Sequence, residues 1–180
     1  MARMGHTVSF RPLARDDFPL LAEWLRDPGV QRWWPEPSDL ASIEARYGPA
    51  VDGHEPTELF VIVAGGRDVG LIQRYRHRDH ATWDRAIGID RAAGIDYLIG
   101  GEPDRGRGLG AAAIDAFTES VFRAYADVDV VVAAPQQANT ASWRALERAG
   151  FARVGEGMLD SDDPADAGPS YVYARRRPVP

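Results

Sequence analysis

Two residue types that carry out chemistry in many enzymes are missing from this 180-residue chain. It has no cysteine, which excludes disulfides, zinc–thiolate sites and a cysteine nucleophile. All 21 basic residues are arginine, and the lack of lysine excludes a catalytic Schiff base. No segment approaches the roughly 18 to 20 apolar residues that span a bilayer, and the N-terminus lacks the apolar run of a signal peptide. We therefore expect a cytoplasmic protein without membrane contact.

The charge balance favours cationic partners. The 27 acidic residues outnumber the 21 basic ones, giving a formal net charge of −6. Nucleic acid is a poor partner for an acidic chain, because neutralisation of phosphates dominates that affinity, whereas a cationic molecule suits it. The length fits one domain spanning residues 1–180, and the oligomeric state stays open between monomer and homodimer.

Hydrophobic periodicity alternates between strand and helix along the chain. The valine-rich residues 128–133 are typical of a central strand buried on both faces. The predicted elements are, in order, a strand at 8–13, helices at 18–26 and 38–47, strands at 59–64, 69–75 and 95–99, a helix at 108–125, a strand at 128–133, a helix at 139–149, and strands at 151–154 and 170–175. This order predicts an α/β domain built on a mixed sheet.

Two local features complete this outline. Asp16 or Asp17 is expected to cap the first helix. Residues 76–93, rich in Arg, His and Asp, are expected to form a loop or an extended hairpin tip. His77 and His80 lie in that segment and are expected to be solvent-exposed, because a metal site would need further ligands that the sequence does not supply. No metal is expected.

A glycine-rich segment, Arg105 to Gly110, lies between a predicted strand and an apolar helix. Glycine allows backbone N–H groups to approach an anion without interference from a Cβ. The first turn of the helix adds unpaired N–H donors and the positive end of the helix dipole. Arg105 and Arg107 would add charge at the rim. The segment predicts a pyrophosphate cradle, and a strand-to-helix turn without a ligand is the alternative.

Three motifs, in the expected order, resemble the GNAT acyltransferases. Arg105-x-x-Gly108-x-Gly110 matches the R/Q-x-x-G-x-G/A signature of that family, Asn139 opens the next helix as in its second motif, and Ala149-Gly150-Phe151 resembles its helix exit. The resemblance covers essentially the whole chain. It implies a single-domain GNAT fold whose mixed sheet is splayed between its fourth and fifth strands and flanked by about four helices.

The resemblance also implies an acyl donor and the residues that hold it. The donor is acetyl-CoA, with CoA as product, and Asn139 would hydrogen-bond the pantetheine arm. The implied cofactor-binding residues are Tyr97, Leu98, Ile99, Arg105, Gly106, Arg107, Gly108, Leu109, Gly110, Ala111, Asn139 and Ser142.

Within that superfamily the chain is most similar to the aminoglycoside 6′-N-acetyltransferases. The segments that carry this similarity are Glu23-Trp24-Leu25, Trp33-Trp34, Gln73-x-Tyr75, Gly94-Ile95-Asp96 and Gly168-Pro169 followed by Tyr173. The similarity implies that Asp96 is catalytic and contacts the substrate amine.

The chemistry of Asp96 suits that role. A carboxylate attracts an ammonium group and accepts its proton, directly or through a water, so that the neutral amine can attack the thioester. Backbone N–H groups around Tyr97 and Leu98 could stabilise the oxyanion. No covalent enzyme intermediate is needed. A strand-end carboxylate paired with an arginine is the alternative.

Several residues are candidates for holding a cationic substrate. Aromatic rings suit sugar faces and cations, and the acidic segment 160–166 could act as an electrostatic trap, although it could equally be a solvated loop. The candidate substrate-binding residues are Trp33, Trp34, Glu36, Tyr75, Asp96, Asp162, Asp163 and Asp166.

Two positions depart from the aminoglycoside enzymes. Those relatives have a substrate-holding aspartate where this chain has Ala134, and a tyrosine that serves as general acid where this chain has Leu146. A residue among Asp162, Asp163 and Asp166 is expected to replace the carboxylate. The thiolate could leave without an acid, or a water near Ser142 could protonate it.

Alternative functions remain open at this point. A siderophore-type lysine or hydroxylysine N-acyltransferase is one, but such relatives usually have histidine at the position of Asp96 and an acid at that of Ala134. A non-catalytic acyl-CoA-binding sensor and a protein N-terminal acetyltransferase are the others.

Overall fold

The computed structural model describes residues 7–161 and 168–179. Its strands are β1 (Val8–Pro12), β2 (Glu58–Ala64), β3 (Arg67–Arg76), β4 (Ala92–Ile99), β5 (Val130–Ala133), β6 (Ala152–Met158) and β7 (Pro169–Arg176). They form one mixed sheet in the order β1-β2-β3-β4-β5-β7-β6. Only the β4–β5 pair is parallel among these strands; every other neighbouring pair is antiparallel. The predicted mixed α/β sheet is therefore confirmed.

Six helices flank the described sheet, rather than about four. They are α1 (Phe18–Arg26), α2 (Pro28–Gln31), α3 (Leu40–Val51), α4 (Ala81–Ile87), α5 (Leu109–Ala124) and α6 (Thr140–Arg148). The two additional ones, α2 and α4, have four and seven residues, which is too short to give a clear helical period in the sequence. None of the helices in 7–161 and 168–179 could cross a bilayer.

One predicted helix cap and one predicted helix end were wrong. Asp17 makes no side-chain cap on α1, because its carboxylate instead forms an ion pair with Arg11 at 2.7 Å and accepts the N–H of Ala14. Helix α3, capped by Asp39 through the N–H of Ser42, continues past Tyr47 to Val51 with Pro49 inside it. The ion pair with Arg11 takes up the Asp17 carboxylate. Gly48 and Pro49 disfavour the interior of a helix, so the sequence pattern does not reveal the last turn of α3.

The prediction for residues 76–93 was also wrong, because the segment contains α4. His77 is completely buried and His80 is half-buried, so the expectation that both are solvent-exposed fails. The ring of Tyr75 explains this burial: it stacks against His77 at 6.0 Å and meets His80 edge-on at 4.9 Å between ring centroids. The histidines belong to an aromatic cluster that holds α4 against the end of β3.

The sheet opens between β4 and β5. These strands pair over only three positions, from Ala92–Val130 to Gly94–Val132, whereas β4 pairs with β3 as far as Ile99. Beyond Gly94 the two strands diverge, as expected for a sheet splayed between its fourth and fifth strands. The gap borders Asp96 and the residues that follow it.

Apolar layers cover both faces of the sheet. The cluster on one face joins α5 and α6 to the sheet through buried residues such as Phe117, Ile95 and Val131. The cluster on the other face joins α1 and α3 through Leu25 and Leu98. Because alternate strand residues point to opposite faces, Tyr97 lies on the α5–α6 face and Asp96 on the α1–α3 face. The carboxylate of Asp96 and the phenol of Tyr97 therefore lie on opposite faces of β4, both beside the gap.

Candidate active site

One cavity of about 1180 Å³ lies at the gap in the sheet. Its lining includes Asp96 from β4, Gly108 from the glycine-rich loop, Ser142 from α6 and Trp34 from the segment after α2. The fold therefore brings together residues from four of the segments singled out in the sequence, including predicted cofactor-binding and predicted substrate-binding residues. A surface that joins these elements can hold two reactants next to each other.

The glycine-rich loop has the geometry of an anion cradle. Gly106 and Gly108 have φ angles of +74° and +82°, a region that favours glycine. A Cβ built on either residue would meet no atom within 4 Å, so the space beside the loop is open. The first intrahelical bond of α5 runs from the N–H of Ala112 to the carbonyl of Gly108. The N–H groups of Leu109, Gly110 and Ala111 thus lack a partner within the helix, and no side chain caps the helix.

The arginines of this loop differ from the rim cations that the sequence predicts. Arg105 donates to Asp27 at 2.8 Å, and the side chain packs against Gly29. Arg107 is exposed, and Leu109, the first residue of α5, has its side chain buried in the core. The cavity lining includes Gly106, Gly108, Gly110 and Ala111 but neither Arg107 nor Leu109. The loop would bind an anion through its backbone and the helix N-terminus more than through side-chain charge.

The start of α6 forms the opposite wall of this half of the cavity. Asn139 caps the helix by accepting the N–H of Ser142 at 3.2 Å, which leaves its amide nitrogen as the donor for a ligand. The hydroxyls of Ser142 and Tyr97 lie 2.7 Å apart. This pair bridges the gap between α6 and β4. Burial, ahead of the opposing hydrogen bond to Ser142, raises the pKa of Tyr97, so that its hydroxyl stays protonated.

The backbone of β4 presents alternate N–H groups to the gap. Gly100, just beyond the end of β4, donates to the carbonyl of Val69 in β3. In a regular antiparallel pair the same orientation recurs every second residue, so Leu98 and Asp96 also direct their N–H groups towards β3. The N–H groups of Tyr97 and Ile99 point away from β3, towards the gap. Leu98 lines the cavity, but its N–H is not the one directed there.

Asp96 is held in a defined orientation. Gln73, its partner across the β3–β4 pair, donates to its Oδ2 at 2.9 Å. Tyr75 lies against Gly94 so closely that a Cβ there would be 2.4 Å from the phenol carbon. Gln73 thus orients the carboxylate, and Gly94 admits the Tyr75 ring to the cavity wall. The Gln73–Asp96 contact was missed from the sequence, although the predicted hairpin and the strand beside it place the two residues on neighbouring strands.

Comparison with known proteins identifies the family. A family model described as the acetyltransferase (GNAT) domain matches residues 14–159. The chain belongs to this family. The predictions of an acetyltransferase and of the GNAT fold are therefore confirmed.

Similar proteins have related descriptions. The chain is 27% identical over 164 residues to aminoglycoside N(6′)-acetyltransferase type 1 from Klebsiella pneumoniae, covering 88% of this chain and 80% of that protein. The structure of aminoglycoside acetyltransferase AAC(6′)-Ib with coenzyme A and kanamycin has a TM-score of 0.80 and 26% identity, covering 95% of each chain. The same enzyme with ribostamycin and coenzyme A gives a TM-score of 0.80 and 25% identity, covering 95% and 94%.

On the other side of the GNAT cavity, an ordered network includes two of the predicted substrate residues, Trp34 and Glu36. Trp34 donates through Nε1 to the hydroxyl of Tyr47 at 3.0 Å, and Tyr47 donates to Glu36. Arg46 also bonds to Glu36, at 3.2 Å. Burial and then the Glu36 carboxylate raise the pKa of Tyr47, which therefore remains a donor. Trp33 lines the cavity beside Trp34.

The chain departs from the aminoglycoside enzymes at Leu146 and Ala134, and the residue present at each position supplies neither an acid nor a carboxylate. Leu146 is completely buried in the apolar core, so α6 offers no acid there. Ala134 lines the cavity without a polar side chain. Asp162, Asp163 and Asp166 lie outside the described residues. Ser161, which directly precedes them, lines the cavity.

His77 makes the fold sensitive to acid. Burial and then the nearby His80 lower the pKa of His77 to about 4, from an ordinary value of 6.5. The unfolded chain therefore binds more protons between pH 6.5 and 4, and stability falls as the pH is lowered through that window. The full effect corresponds to about 3 kcal/mol in the free energy of unfolding. His77→Leu should reduce the difference between urea unfolding at pH 7.5 and at pH 5.

The exposed His54 provides a matched control. His54→Leu is expected to leave that pH difference unchanged. Equal pH dependence in the wild type and the His77→Leu variant would show that His77 does not titrate as a buried neutral group.

Proposed function

We propose that this chain transfers the acetyl group of acetyl-CoA to an amine of a cationic small molecule, specifically the 6′-amino group of an aminoglycoside. The observation that carries the proposal is one cavity shared by the glycine cradle and Asp96. The coenzyme A and aminoglycosides in the two similar structures support the same donor and acceptor. The net charge of −6 favours a cationic acceptor.

The acceptor would be activated by Asp96. Its carboxylate attracts the ammonium group and accepts one proton, either directly or through a water. Gln73 holds the carboxylate in place at 2.9 Å. The neutral amine then attacks the thioester carbonyl directly, and the N–H of Tyr97, which faces the gap, stabilises the oxyanion.

The leaving thiolate would be met by the Tyr97 hydroxyl. Tyr97 and Ser142 form the hydroxyl pair on the cofactor side of the gap, where Leu146 supplies no acid. Since burial keeps the phenol protonated, Tyr97 donates a hydrogen bond to the departing sulfur. The sequence did not reveal this role because Tyr97 and Ser142 are 45 residues apart.

Tyr97→Phe should lower kcat by about 10-fold while the KM values for acetyl-CoA and the acceptor change less than twofold. The ring and its packing are kept, so only the donor is lost. Steady-state kinetics with kanamycin would measure this. Ser142→Ala keeps the phenol and should have a smaller effect. An unchanged kcat in Tyr97→Phe would show that the thiolate departs without a hydrogen bond from Tyr97.

The missing carboxylate at Ala134 would be supplied from the acidic segment that follows Ser161. Single variants Asp162→Asn, Asp163→Asn and Asp166→Asn are expected to include one whose KM for kanamycin rises about 10-fold, because a charge-assisted hydrogen bond to an ammonium is lost. Asp160→Asn is the control from the same segment. Unchanged KM values in all three variants would discard this assignment.

The proposed reaction is tested by thiol release. The purified protein is incubated with acetyl-CoA and, separately, with aminoglycosides, lysine derivatives and peptides. We expect turnover with aminoglycosides bearing a 6′-amine and none with a 6′-hydroxyl analogue. Turnover on lysine derivatives or peptide N-termini alone would favour the alternative acyltransferases. Binding of CoA without turnover on any amine would favour a sensor.

A further inference from the structure

Arg105 connects two parts of the cavity that are far apart in sequence. Its Nη2 donates to Asp27 Oδ1 at 2.8 Å across 78 positions of the chain. The same carboxylate oxygen accepts the N–H of Gly29 at 2.8 Å. A Cβ at Gly29 would lie 3.0 Å from the guanidinium carbon. The guanidinium therefore packs closely on the backbone of α2.

Both ends of this contact continue into the proposed binding surfaces. Arg105 begins the segment whose backbone forms the cradle. Asp27 caps α2, and the segment after it lines the cavity through Gly29, Val30, Trp33 and Trp34. The backbone N–H groups of Trp33 and Trp34 both donate to the carbonyl of Val30, so a displacement of α2 is transmitted to the rings.

The contact is also incomplete. Arg105 Nη1 is buried and has no hydrogen-bond partner among the described residues, although a buried guanidinium N–H normally finds one. Desolvation opposes ionisation of Asp27, but the hydrogen bonds from Arg105 and Gly29 outweigh it and lower its pKa, so that Asp27 stays charged. The pair is thus an ionised link with one donor still to satisfy beside the cradle.

We propose that the Arg105–Asp27 pair acts as a positioning link, through which a diphosphate-bearing donor in the cradle orders the Gly29–Trp34 wall and so strengthens binding of the cationic acceptor. Occupation of the cradle fixes Arg105, and Arg105 fixes α2. This inference rests on the proposed function for the identity of the two ligands. By linkage, the acceptor strengthens donor binding by the same factor.

The first test uses hydrogen exchange in the whole protein with CoA as the probe. CoA is expected to slow exchange in residues 105–111 and also in residues 29–34. Asp27→Asn keeps the acceptor for Gly29 but loses the charge, and it should keep protection in 105–111 and lose it in 29–34. Asp129→Asn, which removes a similar carboxylate from the exposed pair with Arg91, should behave as the wild type.

The second test measures the affinity of kanamycin by calorimetry with and without saturating CoA. We expect about fivefold or tighter binding with CoA in the wild type, less than twofold in Asp27→Asn and in Arg105→Gln, and partial recovery in Arg105→Lys. Protection of 105–111 without 29–34 in the wild type would overturn the inference and leave the proposed function intact. Protection of neither segment would overturn both the inference and the proposed function. Because the exchange experiment uses CoA alone, it tests the inference even if kanamycin does not bind.

Discussion

Replacing Asp96 with asparagine is expected to lower kcat by about 100-fold or more, within the range of 10² to 10⁴ for loss of a general base. Asparagine has the same shape and can still bond to Gln73, so the cavity wall is kept. Only proton acceptance and the attraction for an ammonium are removed. Steady-state thiol release with acetyl-CoA and kanamycin would measure the loss.

The control for Asp96→Asn is binding of the donor. CoA affinity measured by calorimetry should change less than twofold, because Asp96 points to the α1–α3 face and the cradle lies at the start of α5. Glu55→Asn removes another carboxylate that lines the cavity and should retain kcat. A wild-type kcat in Asp96→Asn would require another base.

Gly108→Ala is expected to raise the KM for acetyl-CoA by about 10- to 100-fold, equal to about 1.4 to 2.8 kcal/mol of lost binding. The φ of +82° at Gly108 is unfavourable for alanine, so the loop must shift and its N–H groups lose their convergence. The new methyl group would also occupy the open side of the cradle. Calorimetric titration with CoA would measure the same loss without catalysis.

Gly66→Ala is a matched control for backbone strain. Gly66 has a φ of +74° in the β2–β3 turn and no atom within 4 Å of a built Cβ. Both variants should lose about 1 kcal/mol of stability in urea, but only Gly108→Ala should lose affinity for CoA. Equal CoA affinity in the two variants would argue against a donor site at this loop.

Local patterns in the sequence were sufficient for several parts of the site. The valine-rich β5 and the glycine-rich loop before α5 were predicted because burial on both faces and positive φ angles impose residue choices that a short window displays. Asn139 as the cap of α6 follows from the same kind of local rule. The order of the motifs along the chain indicated the GNAT family, and the domain match over residues 14–159 confirms it.

Contacts between distant segments could not be predicted in this way. Arg105 was expected to add charge at the rim of the cradle, and the fold pairs it with Asp27. His77 was expected in solvent, and the fold buries it completely where its turn packs beside β4. Each of these outcomes depends on which element packs beside the residue, and the local sequence does not show which element that is.

The sequence by itself determined the order of the seven strands and of the four longer helices, and the glycine-rich turn before α5, because each is encoded in a few adjacent residues. It also made Asp96 a candidate catalytic residue. Only the tertiary structure decided that Tyr97 meets Ser142, that Gln73 orients Asp96 and that Arg105 meets Asp27. Those pairs are 45, 23 and 78 positions apart. They exist because the packed fold brings β4 beside α6, β3 beside β4, and the loop before α5 beside the start of α2.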